Sequence, residues 1–164
     1  MSLLGAACWF VGTAVVSSLL GYLIHRLAHW PKAGIFYAMH MEHHRELYPP
    51  HEFLSEEYKS AGVASFRLWF VPIITVVVAA FILWLPTWYA VAATASLGII
   101  SALDDYLHDQ FHLTGSRLVR FRWFRRLRAL HLLHHRNMRK NYGIFSFVLD
   151  RMLGSFVAEL RRRR

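Results

Sequence analysis

The sequence predicts an all-α integral membrane protein, a bundle of about three to four transmembrane helices with a cytosolic histidine-rich helical cap. Three observations predict it. Two apolar runs, 3–24 and 68–103, are long enough for membrane passage. All 19 lysines and arginines lie outside those runs. Ten of the 11 histidines gather in four short clusters beside the runs or in the basic stretches.

At 164 residues the chain supports one domain, taken here as 1–164. A composition 55% hydrophobic with a formal charge of +9 is unusual for a soluble domain. It suits a membrane protein whose charges collect on one side.

Residues 3–24 (LLGAACWFVGTAVVSSLLGYLI) run 22 positions without a charge, enough for one spanning helix. A secretory signal would need a basic start, and the first charge is Arg26, at the far end, so a retained helix is expected. Cys8 has no cysteine to pair with and reads as a small apolar side chain. The 36 residues of 68–103 are too long for one span and suit two. Pro86, between Trp84 and Trp88, divides them into helices over about 68–85 and 87–107, because proline ends a helix and tryptophan favours the interface.

No Lys or Arg precedes Arg26 or lies between Arg67 and Arg117. The positive-inside tendency therefore puts the N-terminus and the Pro86 turn outside, and both basic stretches in the cytoplasm. Arginines interleave with apolar residues in RLVRFRWFRRLR (117–128). Beside membrane spans this pattern suits a helix in the headgroup layer better than a nucleic-acid site. Arg161–Arg164 reads as a solvated or lipid-facing tail.

The histidine clusters are HRLAH (His25, His29), HMEHH (His40, His43, His44), HDQFH (His108, His112) and HLLHH (His131, His134, His135). On a helix, HxxxH aims both imidazoles one way, and HxxHH adds a third ring about a hundred degrees around, within reach of a second ion. The order HxxxH then HxxHH occurs twice, at 25–44 and 108–135, so two facing halves would bring five ligands each. Ten imidazole nitrogens suit two metal ions. The span assignment sends all four clusters to one membrane face. His51 stands apart after Tyr48-Pro49-Pro50 and reads as a loop or substrate-mouth residue. A ligating histidine usually donates its other N–H to an acceptor. Glu42, Asp104, Asp105 and Asp109 are placed for that role.

With the tail N141YG143 and D150RMLG154, these clusters resemble the fatty acid hydroxylase/sterol desaturase superfamily over roughly residues 22–156. The resemblance implies a pair of metal ions under a cytosolic cap, iron in the active enzyme, with zinc possible in purified protein. It implies a lipid C–H bond hydroxylated or desaturated with O2 and two electrons. His25, His29, His40, His43, His44, His108, His112, His131, His134 and His135 match the family's ligands, and Asn141 could orient a water or ligand nearby. Tyr22, Phe66, Trp69 and Phe70 are candidates for a lipid tunnel, though ordinary packing explains them as well.

The chain is short, shows three spans where four are common, and carries no fused haem carrier or nucleotide loop. Electrons would come from a separate protein, for which the basic face offers a dock. That face could equally hold anionic lipid. A carotenoid-ring hydroxylase or a lipid desaturase shares the chemistry, and NYGIFSFVLDRMLG favours the acyl-lipid and sterol branch over the carotenoid one. A non-enzymatic metal or haem protein is the reading from another class. No span carries a mid-membrane histidine to support it.

Overall fold

The computed structural model describes residues 2–60 and 70–159. Its helices are α1 (Leu3–Ala28), α2 (Ile35–Glu42), α3 (Phe70–Trp84), α4 (Thr87–His112), α5 (Arg122–Arg136) and α6 (Val148–Met152). No β-strand forms among the described residues, and one isolated parallel bridge joins Ser55 to Leu113.

Helices α1 and α4, of 26 residues each, are long and apolar enough to cross a bilayer. At 1.5 Å per residue each reaches about 39 Å. The second expected span starts at 68, outside the described residues. Its described part, α3, has 15 residues and covers about 22 Å, short of the roughly 30 Å hydrocarbon core. Pro86 separates α3 from α4 as expected, and its carbonyl accepts the first amides of α4, from Tyr89 and Ala90. Trp84 and Trp88 flank that turn in exposed positions.

Small residues set how α1 meets α4. Thr13 and Ser17 on α1, and Ala90, Ala93 and Ser96 on α4, are buried at the interface. Such residues let two backbones approach closely in a lipid setting, where apolar burial alone gives little drive. Gly5 lies under the Tyr89 ring, Ser96 donates to the Phe10 carbonyl at 2.7 Å, and Gly21 lies against Asp104. These pairings rise together in sequence, so α1 and α4 run parallel and both end at the same side. Around them Val11, Val15, Val16, Leu20, Leu23, Ile73, Val76, Ile82 and Val91 stay exposed, an apolar mantle suited to lipid.

The stretch 117–128 is not one helix. A 3-10 turn over Arg117–Arg120 ends in extended Phe121, and α5 begins at Arg122 and continues into the last histidine cluster. Phe124, Leu130, His131, His134 and His135 are buried on α5, while Arg122, Arg125 and Arg126 stay exposed. Phe111 and Phe124 pack at 5.3 Å between ring centres, with Leu107 beside them. Arg128 caps α4: its Nε donates to the Phe111 carbonyl at 3.0 Å and Nη2 to Leu113 at 2.8 Å. A cation at a helix C-terminus satisfies carbonyls that lack amide partners and complements the helix dipole.

Candidate metal centre

The parallel run of α1 and α4 delivers His25, His29, His108 and His112 to one end of the bundle. There α2, the turn after it, and α5 close over them. Helix α2 passes into a π-helical turn at His43–Leu47, where the Tyr48 amide bonds five residues back to the His43 carbonyl at 2.9 Å. Wider turns of this kind occur often at functional sites. Here the turn carries His43 and His44, whose rings stand nearly perpendicular (89°) with centres 5.4 Å apart.

Nine imidazoles converge in two groups, within each of which the potential ligand atoms lie within 4.8 Å of one another. The first holds His25, His29, His40, His44 and His134; the second holds His43, His112, His131 and His135. The tenth, His108, flanks the second group, its ring centre 4.7 Å from His43, 4.9 Å from His131 and 5.3 Å from His112. The groups adjoin where His44 and His135 lie 4.1 Å apart.

The partition follows helical spacing. Residues four apart share a face, so the pairs His25/His29 and His40/His44 enter the first group and His131/His135 the second. The i+3 histidine of each HxxHH is turned about a hundred degrees from the i+4 histidine. His43 thus joins the second group and His134 the first, an exchange of one ring between the two halves of the sequence.

In the first group four Nε2 atoms form a closed cycle. The separations are 2.9 Å from His40 to His29, 3.0 Å from His29 to His134, 3.2 Å from His134 to His44 and 3.1 Å from His44 to His40. Such separations match adjacent ligands around a centre about 2.0–2.1 Å from each nitrogen, an ordinary metal–imidazole length. In the second group His112 and His131 approach through Nε2 at 3.0 Å.

Backbone carbonyls select the tautomers. The Nδ1–H of His25 donates to Tyr142, that of His112 to Phe53 at 2.8 Å, that of His134 to Lys140 at 2.7 Å and that of His135 to Tyr48 at 3.0 Å. Each of these rings then turns an unprotonated Nε2 inward, the arrangement a metal requires. The Nε2 atoms of His25, His43 and His135 are buried without a hydrogen-bond partner among the described residues. Orphaned polar atoms at this density are costly in a folded chain, and a cation between them supplies what they lack. Burial first, and then neighbouring imidazoles, hold His40, His43, His44 and His131 well below the usual histidine pKa. The same causes act on His134 and His135. The rings are therefore neutral at physiological pH, and protons compete little for the ligand nitrogens. The donor set fits bound metal.

The expected tail motif has a legible job. Asp150, fully buried, accepts from the Tyr142 amide (2.9 Å), the Gly143 amide (2.9 Å) and the Ser155 hydroxyl (2.7 Å). This fixes the peptide whose carbonyl takes the His25 proton. The Tyr142 ring closes the first group, with centres 5.4 Å from His29 and 5.5 Å from His134. Asn141, in the left-handed region (φ 56°), donates to the Leu130 and Val157 carbonyls and accepts from the Val157 amide. It ties the C-terminal segment to α5.

The acidic candidates are placed as follows. One Asp104 carboxylate oxygen lies 3.0 Å from where a side chain on Gly21 would begin. Asp105 is half-buried one turn before His108, and Asp109 lies 4.0 Å from the His108 Nδ1. Glu42 ends α2, half-buried. His51 is exposed in a turn away from both groups. Tyr22 is buried and hydrogen-bonds the Ser155 hydroxyl at 3.0 Å, while Phe66, Trp69 and the Phe70 side chain lie outside the described residues.

Sequence reasoning missed Tyr48. It is fully buried, stacks on His112 with centres 4.0 Å apart, gives its carbonyl to His135, and accepts the Lys59 amide on its hydroxyl at 2.6 Å. With the Ser55–Leu113 bridge it clamps the 48–59 loop over the end of α4. Its position beside Pro49-Pro50 was a turn signal, with nothing to indicate a ligand support. Among the acceptors identified for the imidazoles, backbone carbonyls from Phe53, Lys140 and Tyr142 likewise carry no side-chain signature.

A family model described as fatty acid hydroxylase matches residues 10–155, reaching further into α1 than the motif resemblance. No curated protein and no solved structure matches the chain.

Proposed function

The chain belongs to the fatty acid hydroxylase family, within the fatty acid hydroxylase/sterol desaturase superfamily, and has its lipid-oxidising character; from that premise we propose a membrane-bound di-iron oxygenase that hydroxylates a lipid C–H bond. The observation that carries this reading is the convergence of nine buried or half-buried imidazoles in two adjoining groups at one end of two apolar helices.

In this reading His25, His29, His40, His44 and His134 hold one ion. His43, His108, His112, His131 and His135 hold the other. Two iron ions would supply O2 reduction and oxidation of an unactivated C–H bond, and zinc could replace them in purified protein. The chain's own residues provide the setting. Tyr142 and Tyr48 cover the two groups, and burial keeps the imidazoles neutral. Asp150 positions His25 through the Tyr142 carbonyl. The whole chain acts as one domain, with the N-terminus outside and the histidines at the cytoplasmic face.

A separate electron-transfer protein that delivers the two electrons is part of the proposal. The exposed arginines of α5 offer an acidic carrier a complementary surface. The test compares lipid extracts of cells with and without the gene. Expected is a lipid class heavier by one oxygen only where the gene is active. A loss of two hydrogens would assign desaturation, and unchanged lipids under aerobic growth would refute both.

A further inference from the structure

The chain between Asn141 and Val157 leaves the histidine groups and comes back, with its two ends fastened together. The Asn141 amide donates to the Ser155 carbonyl at 3.0 Å, and the Val157 amide to the Asn141 side chain at 2.8 Å. Lys140 Nζ donates to the Gly154 carbonyl at 2.9 Å. Gly154, in the left-handed region (φ 71°), reverses the chain after α6.

The excursion runs toward the bilayer. Ile144 and Phe145 line one small cavity with Ser18, Gly21 and Tyr22 of α1 and Asp104 of α4. Those α1 residues belong to the uncharged run 3–24. Ser18 lies about 10 Å along the helix before His25. The tip of the excursion therefore sits beside the spanning helices, on the membrane side of the histidines.

Its chemistry suits that depth. Val148 and Met152, four apart on α6, share a face and are exposed, as are Phe145 and Leu153. Phe147 and Asp150 are buried. Leu19 and Leu20 of α1 are exposed at the same level, so the tip extends the apolar mantle around the spans. Residues 144–153 carry two charges, Asp150 and Arg151. Asp150 is neutralised by buried donors, and the Arg151 guanidinium folds over the Phe156 ring, 4.3 Å from its centre, toward the fastened ends. Irregular backbone at membrane depth persists only where its polar groups are satisfied within the protein. Here the Asp150 side chain takes the Tyr142 and Gly143 amides. Its carbonyl takes those of Ser155 and Phe156 at 2.8 and 3.0 Å. The Phe147 and Leu149 carbonyls take the Arg151 and Leu153 amides at 3.2 and 2.9 Å.

We infer that residues 144–153 form a re-entrant loop whose Phe145, Val148, Met152 and Leu153 sit among the acyl chains of the leaflet on the histidine side. The partner of this surface is the apolar phase of that leaflet. Because the Tyr142 carbonyl at the root of the loop takes the His25 proton, the bilayer itself braces the first histidine group.

The test uses wild-type protein in phosphatidylcholine nanodiscs, photolabelled in two ways. One diazirine is carried on the lipid acyl chains, and the other is a water-soluble reagent that does not enter bilayers. Fragment mass spectrometry locates the adducts. The acyl-chain reagent should mark Phe145, Val148 and Met152 together with the exposed leucines of α1. The aqueous reagent should spare them and mark the 48–59 loop. Val148→Asp with Met152→Asp should lose the acyl-chain adducts on the tail and gain aqueous ones, with those on α1 unchanged. Val148→Leu should keep the wild-type pattern. The wild-type arms decide the question even where the aspartate variant does not fold. Aqueous adducts on wild-type Val148 and Met152 would overturn the proposal. So would acyl-chain adducts confined to Tyr142, which place lipid at the histidine groups only. Protection from both reagents, the mark of a protein covering this face, would overturn it as well.

Discussion

Replacing His134 with alanine should empty the first histidine group and abolish the proposed lipid oxidation, while the protein still inserts in the membrane. His134 is fully buried, and its Nε2 lies 3.0 Å from that of His29 and 3.2 Å from that of His44. Its Nδ1–H is already committed to the Lys140 carbonyl, so no other orientation competes. Removing it opens the cycle of four nitrogens from inside. The loss should exceed the roughly 10–100-fold seen when only an outer partner of a metal ligand is removed. Insertion depends on α1 and α4, which His134 does not build. His43→Ala is the reciprocal experiment. It strikes the second group from the opposite half of the sequence, and metal should fall toward one ion per chain with the first group still filled. Metal analysis of both variants, with exposed His51→Ala as the unchanged control, checks the exchange of rings between halves. Two ions retained in His134→Ala would contradict the grouping.

Gly143→Ala should be nearly as damaging, without touching a ligand. A Cβ at 143 would collide with the Ser146 carbonyl oxygen and meet the Asp150 carboxylate at 3.1 Å. The first contact is with backbone, so no rotamer relieves it. Moving the 143–146 segment breaks the two hydrogen bonds that the Tyr142 and Gly143 amides donate to Asp150, and shifts the Tyr142 carbonyl that holds His25. Overpacking of this kind costs about 1–3 kcal/mol, and disturbing the buried Asp150 network adds to it. The expected outcome is a lower unfolding temperature together with metal binding weakened by about 10–100-fold, the range for a lost outer partner. Thermal unfolding and metal titration in detergent measure the two effects. Wild-type metal affinity in this variant would show that the tail segment does not support His25.

The large features were readable because membranes and helices impose strict periods. Twenty-two uncharged residues, the proline between Trp84 and Trp88, and HxxxH spacing each have few structural solutions. The histidine clusters could be placed on one face from the span count, and the parallel course of α1 and α4 is what brings their ends together. The division of ligands was less accessible. HxxHH announces a ring facing elsewhere, but only tertiary packing decides which ring it meets. The π turn at His43–Leu47 has no sequence signature, since it differs from an α-helix by one residue in its hydrogen bonding. Tyr48 was invisible for a similar reason: its contributions are a carbonyl and a stacked ring. The acidic residues near the histidines drew attention by type, whereas the acceptors observed at four imidazoles are backbone oxygens. Asp150 acts one step further back, on the amides of Tyr142 and Gly143.

The claim on which the rest depends is a two-ion centre held by imidazoles alone. Its most direct test is the metal-to-chain ratio of protein purified from membranes, by elemental mass spectrometry with an optical spectrum of the same sample. Two ions of iron, or of zinc substituting for it, should accompany each chain, with no haem absorption. One haem per chain, or no bound metal in folded protein, would contradict it.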